Sequence, residues 1–360
     1  MSLFDQIPDQ IDSIAAEDPL LHLAAQMLTL VGREDLSVAA MARAVGYRET
    51  DRCPETSTLN SLMDQIIGDA NRTQIVMINE SHFEPRHRLV ASRLAERLKS
   101  EGYTYYAAET LQQSVYEDTF HGRILFNVGS YSFEPIFGRG LREIYESGYS
   151  LEAYEQRPDQ RSGNPPTYVD RIHEREVAQT ENLIAAIFDQ NPGARVLIHV
   201  GHSHVLETPR PTRDGQEIRW FANRLAEATG IDPVTIDQTH CRSDMASAGA
   251  DGNTTSISGA VDYFIGHPPL EFDRQRPTWR REIGDIDLEI PTELLSEDGR
   301  IIVEAHPAGG PTEEVAIDRL MVFPGENIPL LLPPGQYDLR SYTSEGLLAG
   351  PVTVTVSEKA

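Results

Sequence analysis

Five short apolar runs in this chain each end on an acid or a histidine. The first closes as Asn79-Glu80-Ser81-His82, the second at Glu109 and the third at Glu155. The fourth runs into Gly201-His202-Ser203-His204, and the fifth stops at Asp237. Carboxylates and imidazoles are the side chains that move protons near neutral pH or hold metal ions. A single polar residue at a strand end is an ordinary solvated group. Several acids and histidines at one shared edge need a counter-charge, a proton or a metal to coexist.

The elements that would hold them read as alternating strands and helices. Strands are expected at Thr73–Asn79, Thr104–Glu109, Ser150–Glu155, Arg195–Val200 and Pro233–Asp237, with helices at Pro85–Ser100, Gly140–Ser147, Tyr168–Gln190 and Ile218–Thr229. In the first of these helices Leu89, Val90, Leu94 and Leu98 form the buried stripe, and Arg88, Arg93, Glu96 and Arg97 face out. The alternation predicts an α/β fold, a mainly parallel sheet with flanking helices, whose ligands bind beyond the carboxyl ends of the strands. Residues 1–70 read as a helical prefix packed on this domain, and Ser243–Ser258 as a linker. From Asp273 onward the pattern is all β, which predicts a C-terminal sandwich over 271–360 after an α/β domain over 1–270.

Composition narrows the function. At 360 residues the chain exceeds one typical core, and its formal net charge of -25 repels phosphate backbones and anionic lipid. A nucleic-acid partner is therefore not expected. No apolar run reaches the ~18 residues that span a bilayer. Met1 to Asp12 lacks the pattern of a secretory signal. The compartment stays open: periplasmic or secreted if a leader was removed, otherwise cytoplasmic. Cys53 and Cys241 allow one disulfide and match no metal or redox spacing. The chain has no Gly-x-Ser-x-Gly elbow, P-loop, dinucleotide glycine motif or His-Glu-x-x-His.

Ile75-Val-Met-Ile-Asn-Glu-Ser-His82 resembles the Gly-Glu-x-His strand end shared by erythromycin esterases, ChaN-like haem-binding lipoproteins and the Tiki/TraB proteins. Arg195-Val-Leu-Ile-His-Val-Gly-His-Ser-His-Val205 is similar to the later Val-x-Gly-x-x-His strand of that group, and His173–Leu183 to the helix before it. The likeness covers about residues 70–240 and departs at Asn79, where the group has glycine. It implies a site lined by Glu80, His82, Glu109 and His204, with Arg175 and Glu176 reaching it from the preceding helix. His204 rather than His202 is aligned with the group's histidine, because Gly201 then keeps its place.

Two functions follow from the resemblance, and a third reading from the C-terminal sandwich. One is a hydrolase acting on an ester or amide of a small molecule or peptide. In it His82 or His204 takes a proton from water, Glu80 and Glu109 orient the histidine or hold a metal, and Arg175 stabilises negative charge. The metal set would be Glu80, His82, Glu109 and His204, suited to Mn, Co or Zn. Another is a haem or iron-ligand binding protein without catalysis. The third is an inactive domain whose sandwich makes contacts through Tyr337 and Tyr342.

Plain structural roles are expected elsewhere. Glu155 and Asp237 read as structural, His199 as a satisfied core residue, and His87, His121, His173 and His240 as surface or loop groups. Tyr103, Tyr105 and Tyr106 read as strand packing, and Arg157 and Arg161 as solvated.

Overall fold

In the computed structural model, residues 14–16, 18, 20–44, 51–53, 57–112, 123–163, 165–212, 215–242, 247–250 and 259–358 are described. His121 and the stretches 243–246 and 251–258 fall outside them. Six parallel strands form the central sheet: β1 (Ile75–Glu80), β2 (Tyr105–Ala108), β3 (Ser150–Glu152), β4 (Val196–Gly201), β5 (Val234–Asp237) and β6 (Tyr263–Gly266). Their spatial order is β6-β5-β1-β4-β2-β3. Two antiparallel segments, Ser247–Ala250 and Ser57–Thr58, extend the edge beyond β6. The sequence reading missed β6, because a Tyr-Phe-Ile-Gly run of four residues behind a polar stretch is too short to show periodicity.

Seven helices matter here: α1 (Leu20–Leu30), α2 (Glu34–Arg43), α3 (Leu59–Ala70), α4 (Arg86–Leu98), α5 (Pro135–Glu146), α6 (Tyr168–Leu183) and α7 (Phe221–Thr229). Strand alternation sends Val76 and Ile78 of β1 to one face, against Leu62, Ile66, Leu94 and Leu141. Ile75 and Met77 go to the other face, against Leu183, Ile187, Phe221 and Leu225. Both faces are thus covered, which is why the strands read as unbroken apolar runs.

Local chemistry fixes where the helices start. Thr58 caps α3 by accepting the Ser61 N–H at 3.3 Å. Thr167 and Asp170 form a capping box on α6. Glu134 accepts the N–H groups of Ile136 and Phe137 at 2.9 and 2.8 Å, and Pro135 fills the first helical position, so α5 begins five residues before Gly140.

Two antiparallel sheets pack against each other in the C-terminal region, after a short antiparallel ribbon of Phe272–Asp273 and Arg276–Pro277. Strands β8 (Ile301–Pro307), β9 (Asp318–Val322), β11 (Gly335–Thr343) and β12 (Gly346–Val356) order as β9-β8-β11-β12, and β7 (Ile286–Leu288) pairs with β10 (Leu330–Leu332). Val303, Leu320, Leu330, Leu332 and Leu339 fill the space between them. Tyr337 belongs to this core, with its hydroxyl on the Pro333 carbonyl at 2.9 Å, and Tyr342 packs beside Ile302 and Met321. Neither is the exposed aromatic contact that the sequence reading offered.

The helical prefix serves both regions. Helix α3 packs on the parallel sheet, whereas Leu28 and Val31 at the end of α1 pack on Ile302 and Met321 of the sandwich. Arg319, fully buried, donates to the Leu30 and Phe133 carbonyls at 3.1 and 2.9 Å. Gly32 has φ +70, and a Cβ there would overlap the Arg319 carbonyl. A Cys53–Cys241 disulfide, Cα atoms 4.9 Å apart, joins the prefix to the chain leaving β5.

Glu34, at the start of α2, is buried near Glu134, Arg276 and Arg280. Burial first and Glu134 second push its carboxyl up to about 7, against the two guanidiniums. The folded state therefore holds this proton more tightly than the unfolded chain, and stability falls as pH rises from the ordinary carboxylate range through 7. Glu34→Gln is expected to raise the Tm at pH 8 by several degrees, on the order of 2 kcal/mol, and to change little at pH 5. Thermal melts at the two pH values check this; a lower Tm at pH 8 would mean that Arg276 and Arg280 require the ionised carboxylate.

Candidate functional site

The strand order reverses around β1, so β1, β4 and β2 open a crevice at their carboxyl ends. Glu80 closes β1 there, fully buried. Arg88 of α4 clasps it, with Nε donating to Oε2 at 2.7 Å and Nη2 to Oε1 at 3.1 Å, and reaches Glu134 with Nη1 at 2.9 Å. His199 of β4 lies 3.3 Å from Glu80 Oε2 through Nε2, while its Nδ1 meets the Tyr106 hydroxyl at 2.7 Å. Burial works against ionised Glu80, but the charge of Arg88 and the contacts of His199 and His82 hold its carboxyl well below the usual range. Glu80 is therefore an anion.

His82 Nδ1 sits 2.8 Å from Glu80 Oε1. A carboxylate there fixes the proton on Nδ1 and leaves Nε2 of the neutral ring with its lone pair. The ring rests on Tyr131 at 4.6 Å, and the side chain keeps 21 % of its surface exposed. The preceding turn is held by His87, whose Nδ1 accepts the Ser81 N–H at 3.0 Å and whose Nε2 lies 3.3 Å from Glu84.

Gly201 separates His82 from the second carboxylate. Its N–H donates to Glu109 Oε2. A Cβ on Gly201 would lie 2.9 Å from His82 Cε1, 3.0 Å from His82 Nε2 and 3.0 Å from Glu109 Oε2. The backbone itself is ordinary, φ -88 and ψ 148, so glycine is required here for room and not for conformation. Burial would raise the Glu109 carboxyl, yet His204, Arg175 and His82 override it and bring it down to about 2.

Arg175 of α6 gathers the rest. Its Nε donates to Glu155 Oε1 at 3.0 Å, its Nη2 to Glu109 and Glu155, and its Nη1 lies 3.1 Å from His204 Nε2. Glu176, one residue on and buried, meets His204 Nδ1 at 2.9 Å. Burial disfavours a charged His204, but Glu176 and Glu109 outweigh it and raise the ring's pKa, with Arg175 acting against them. The two states of His204 share one consequence. Neutral, its Nε2 lone pair faces the Arg175 N–H; protonated, it has no lone pair. Of His82 and His204, it is His82 that offers an open basic nitrogen.

The structure thus brings Glu80, His82, Glu109, Glu155, Arg175, Glu176, His202 and His204 together at one crevice. Asp237 stands one strand away, fully buried, and accepts from Asn79 Nδ2 and from the N–H groups of Thr239 and His240. Asn79 explains its own departure from glycine: Nδ2 also donates to the His202 carbonyl at 2.6 Å, and Oδ1 accepts the Gln238 N–H at 2.7 Å. Its side chain ties β1, β5 and the turn after β4 together.

Sequence reasoning placed several residues wrongly. Arg88 faces inward and is 2 % exposed, because two buried carboxylates offer it more than solvent does, and Leu89 is only half-buried. His87 is buried and holds the β1 turn. His240 is a loop residue and His199 a buried core residue, as expected; the structure adds that His240 is ion-paired with Asp237 at 2.9 Å and that His199 joins the Glu80 network. Tyr131 went unread because it comes from an irregular segment with no pattern to mark it.

A divalent cation does not fit this donor set. Both oxygens of Glu80 are bound by Arg88, and Glu109 meets Arg175 and the Gly201 amide. The guanidiniums already neutralise the carboxylates and would repel a metal ion. Among the described residues, no three His, Cys, Asp or Glu side chains converge as a metal-binding group. The expected Mn, Co or Zn set of Glu80, His82, Glu109 and His204 is corrected accordingly. Of the strand tyrosines, Tyr103 donates to the Ala70 and Thr73 carbonyls, and Tyr106 meets His199.

No family model and no curated protein matches this chain. Distant structural similarity links it to bacterial proteins. The type III effector HopBA1 is 12 % identical with a TM-score of 0.38, over 60 % of this chain and 97 % of that one. RRSP, a MARTX toxin effector domain from Vibrio vulnificus, is 11 % identical with a TM-score of 0.35, over 57 % of this chain and 37 % of that one. The C-terminal region of Pasteurella multocida toxin is 8 % identical with a TM-score of 0.36, over 88 % of this chain and 50 % of that one. Similarities this distant assign neither a family nor an activity.

Proposed function

We propose that this chain is a hydrolase that attacks an ester or amide bond with water activated on His82. The observation that carries the reading is the Arg88–Glu80–His82 relay, buried at one end and ending in an open Nε2 opposite Glu109. The resemblance of the β1 and β4 ends to the esterase branch of the erythromycin esterase, ChaN-like and Tiki group supports the same reaction class. Glu80 fixes the ring and steadies the imidazolium that forms when Nε2 takes a proton from water. The hydroxide adds to the carbonyl carbon, the bond to oxygen or nitrogen breaks, and Nε2 returns its proton to the leaving group. Arg175 supplies positive charge beside the developing oxyanion. The substrate is a small molecule or peptide. The disulfide favours a periplasmic or secreted setting, since such bonds persist where the surroundings are oxidising.

The test is turnover of an ester and amide panel by the full chain and by His82→Gln. The variant is expected to lose about 10²-fold or more in kcat/KM. Its Tm should stay within about 2 °C of the parent, since the ring is partly exposed. Unchanged turnover sinks the assignment of the base, and a collapse of Tm without selective loss of turnover makes His82 structural.

A further inference from the structure

His202 stands beside the proposed base in a conformation that needs an explanation. It is not glycine, yet its φ is +35, the left-handed region that a Cβ disfavours. The Asn79 side chain, itself fully buried and tied to Asp237 and Gln238, holds it there through the His202 carbonyl. The ring is exposed and packs edge-on against His82 at 5.2 Å. It also neighbours Phe83, at 6.4 Å, and Phe83 lies 6.2 Å from the exposed His22 of α1. Tyr131 adds a further aromatic ring, against His82. Strain that a buried network maintains at an exposed side chain is characteristic of residues that meet a ligand.

We propose that Phe83 and His202 form the platform for an aromatic ring of the substrate, placing the scissile bond over His82 Nε2. The reading takes the hydrolase assignment for its catalytic half only. Clustered aromatic side chains favour a flat ring through offset or edge-on contacts. The platform is backed by Leu21, Ala25, Ala40 and Ala44, an apolar bed that suits an aromatic group better than a sugar. His202 and Phe83 are thus specificity-determining residues, and Asn79 acts on the substrate through His202.

The test compares methyl phenylacetate with methyl hexanoate on the parent, His202→Asn and Phe83→Leu. Asparagine tolerates the left-handed backbone and leucine keeps the apolar contact, so each change removes chiefly the ring. Each variant is expected to raise KM for the phenyl ester about five- to tenfold, with kcat within about twofold and a smaller change in KM for the linear ester. Equal losses on the two esters, or a fall in kcat at fixed KM, overturn the platform. Binding of the uncleavable ketones benzyl methyl ketone and 2-heptanone, followed by calorimetry, reads the platform without catalysis. If neither ester is turned over, the hydrolase reading fails on its own. The platform then stands if the parent prefers the aromatic ketone and His202→Asn loses that preference, and falls if it does not.

Discussion

Arg88→Met is expected to destabilise the protein by about 3–5 kcal/mol and to abolish turnover, the largest stability effect of any single change near the site. The reason lies in what the guanidinium leaves behind. Its side chain is 1 % exposed and pairs with Glu80 and Glu134, which are 1 % and 3 % exposed. Methionine fills similar volume but leaves two buried carboxylates without the guanidinium that paired them. With Arg88 gone, the largest influence that held Glu80 ionised is removed, and its pKa rises. The folded state then binds a proton the parent does not, so the variant recovers part of its stability as pH falls toward 5. Replacing Glu80 by Gln in the same protein should restore more stability than Glu80→Gln costs alone, because it removes the orphaned charge. Denaturant titrations of the two single variants and the double variant measure this coupling. A loss below about 1 kcal/mol for Arg88→Met, or strict additivity, would mean that the Glu80–Arg88 pair does not organise the site.

Arg88 also shows where the sequence stopped being readable. Strand ends were legible because a buried parallel strand is a short apolar run, and the first polar residue after it marks the edge. That logic found Glu80, His82, Glu109, Glu155, His204 and Asp237 without knowledge of their partners. Helix periodicity then assigned Arg88 to the solvent stripe, since a binary pattern counts a charged residue as outward. Only the pairing with Glu80 and Glu134 overrides it, and Glu134 comes from a stretch 46 residues away. The same holds for Glu155, read as merely structural and found holding Arg175 in the crevice. Boundaries failed where capping rather than periodicity decides, as at Glu134-Pro135. The prefix was legible as helices, but its docking on the sandwich was not: Arg319 reaches Phe133 O next to Glu134, so the C-terminal region supports the clasp on Glu80 from behind.

Gly201→Ala tests the geometry of the crevice from the opposite direction, by adding an atom. The expected result is a loss of turnover of about 10³-fold with a cost in stability near 1 kcal/mol, smaller than for Arg88→Met. The backbone at φ -88 accepts alanine without strain, so the effect is confined to space. The added methyl lies 2.9 Å from His82 Cε1 and 3.0 Å from Glu109 Oε2, and both side chains must give way. Neither can do so freely. His82 is anchored by its Nδ1 contact to Glu80, and Glu109 is bound by the Gly201 N–H and Arg175. The cheaper movement is rotation of the partly exposed His82 ring toward the crevice mouth, which breaks its bond to Glu80 and removes the tautomer that makes Nε2 basic. Turnover should then fall as far as or further than in His82→Gln. In a Gly201→Ala, His82→Gln double variant the methyl should add little further loss, because both changes strike the same relay. Rates for the single and double variants, taken with their melting curves, decide between this route and a general collapse. Parent-like turnover by Gly201→Ala would mean that water is activated away from the His82–Glu109 gap.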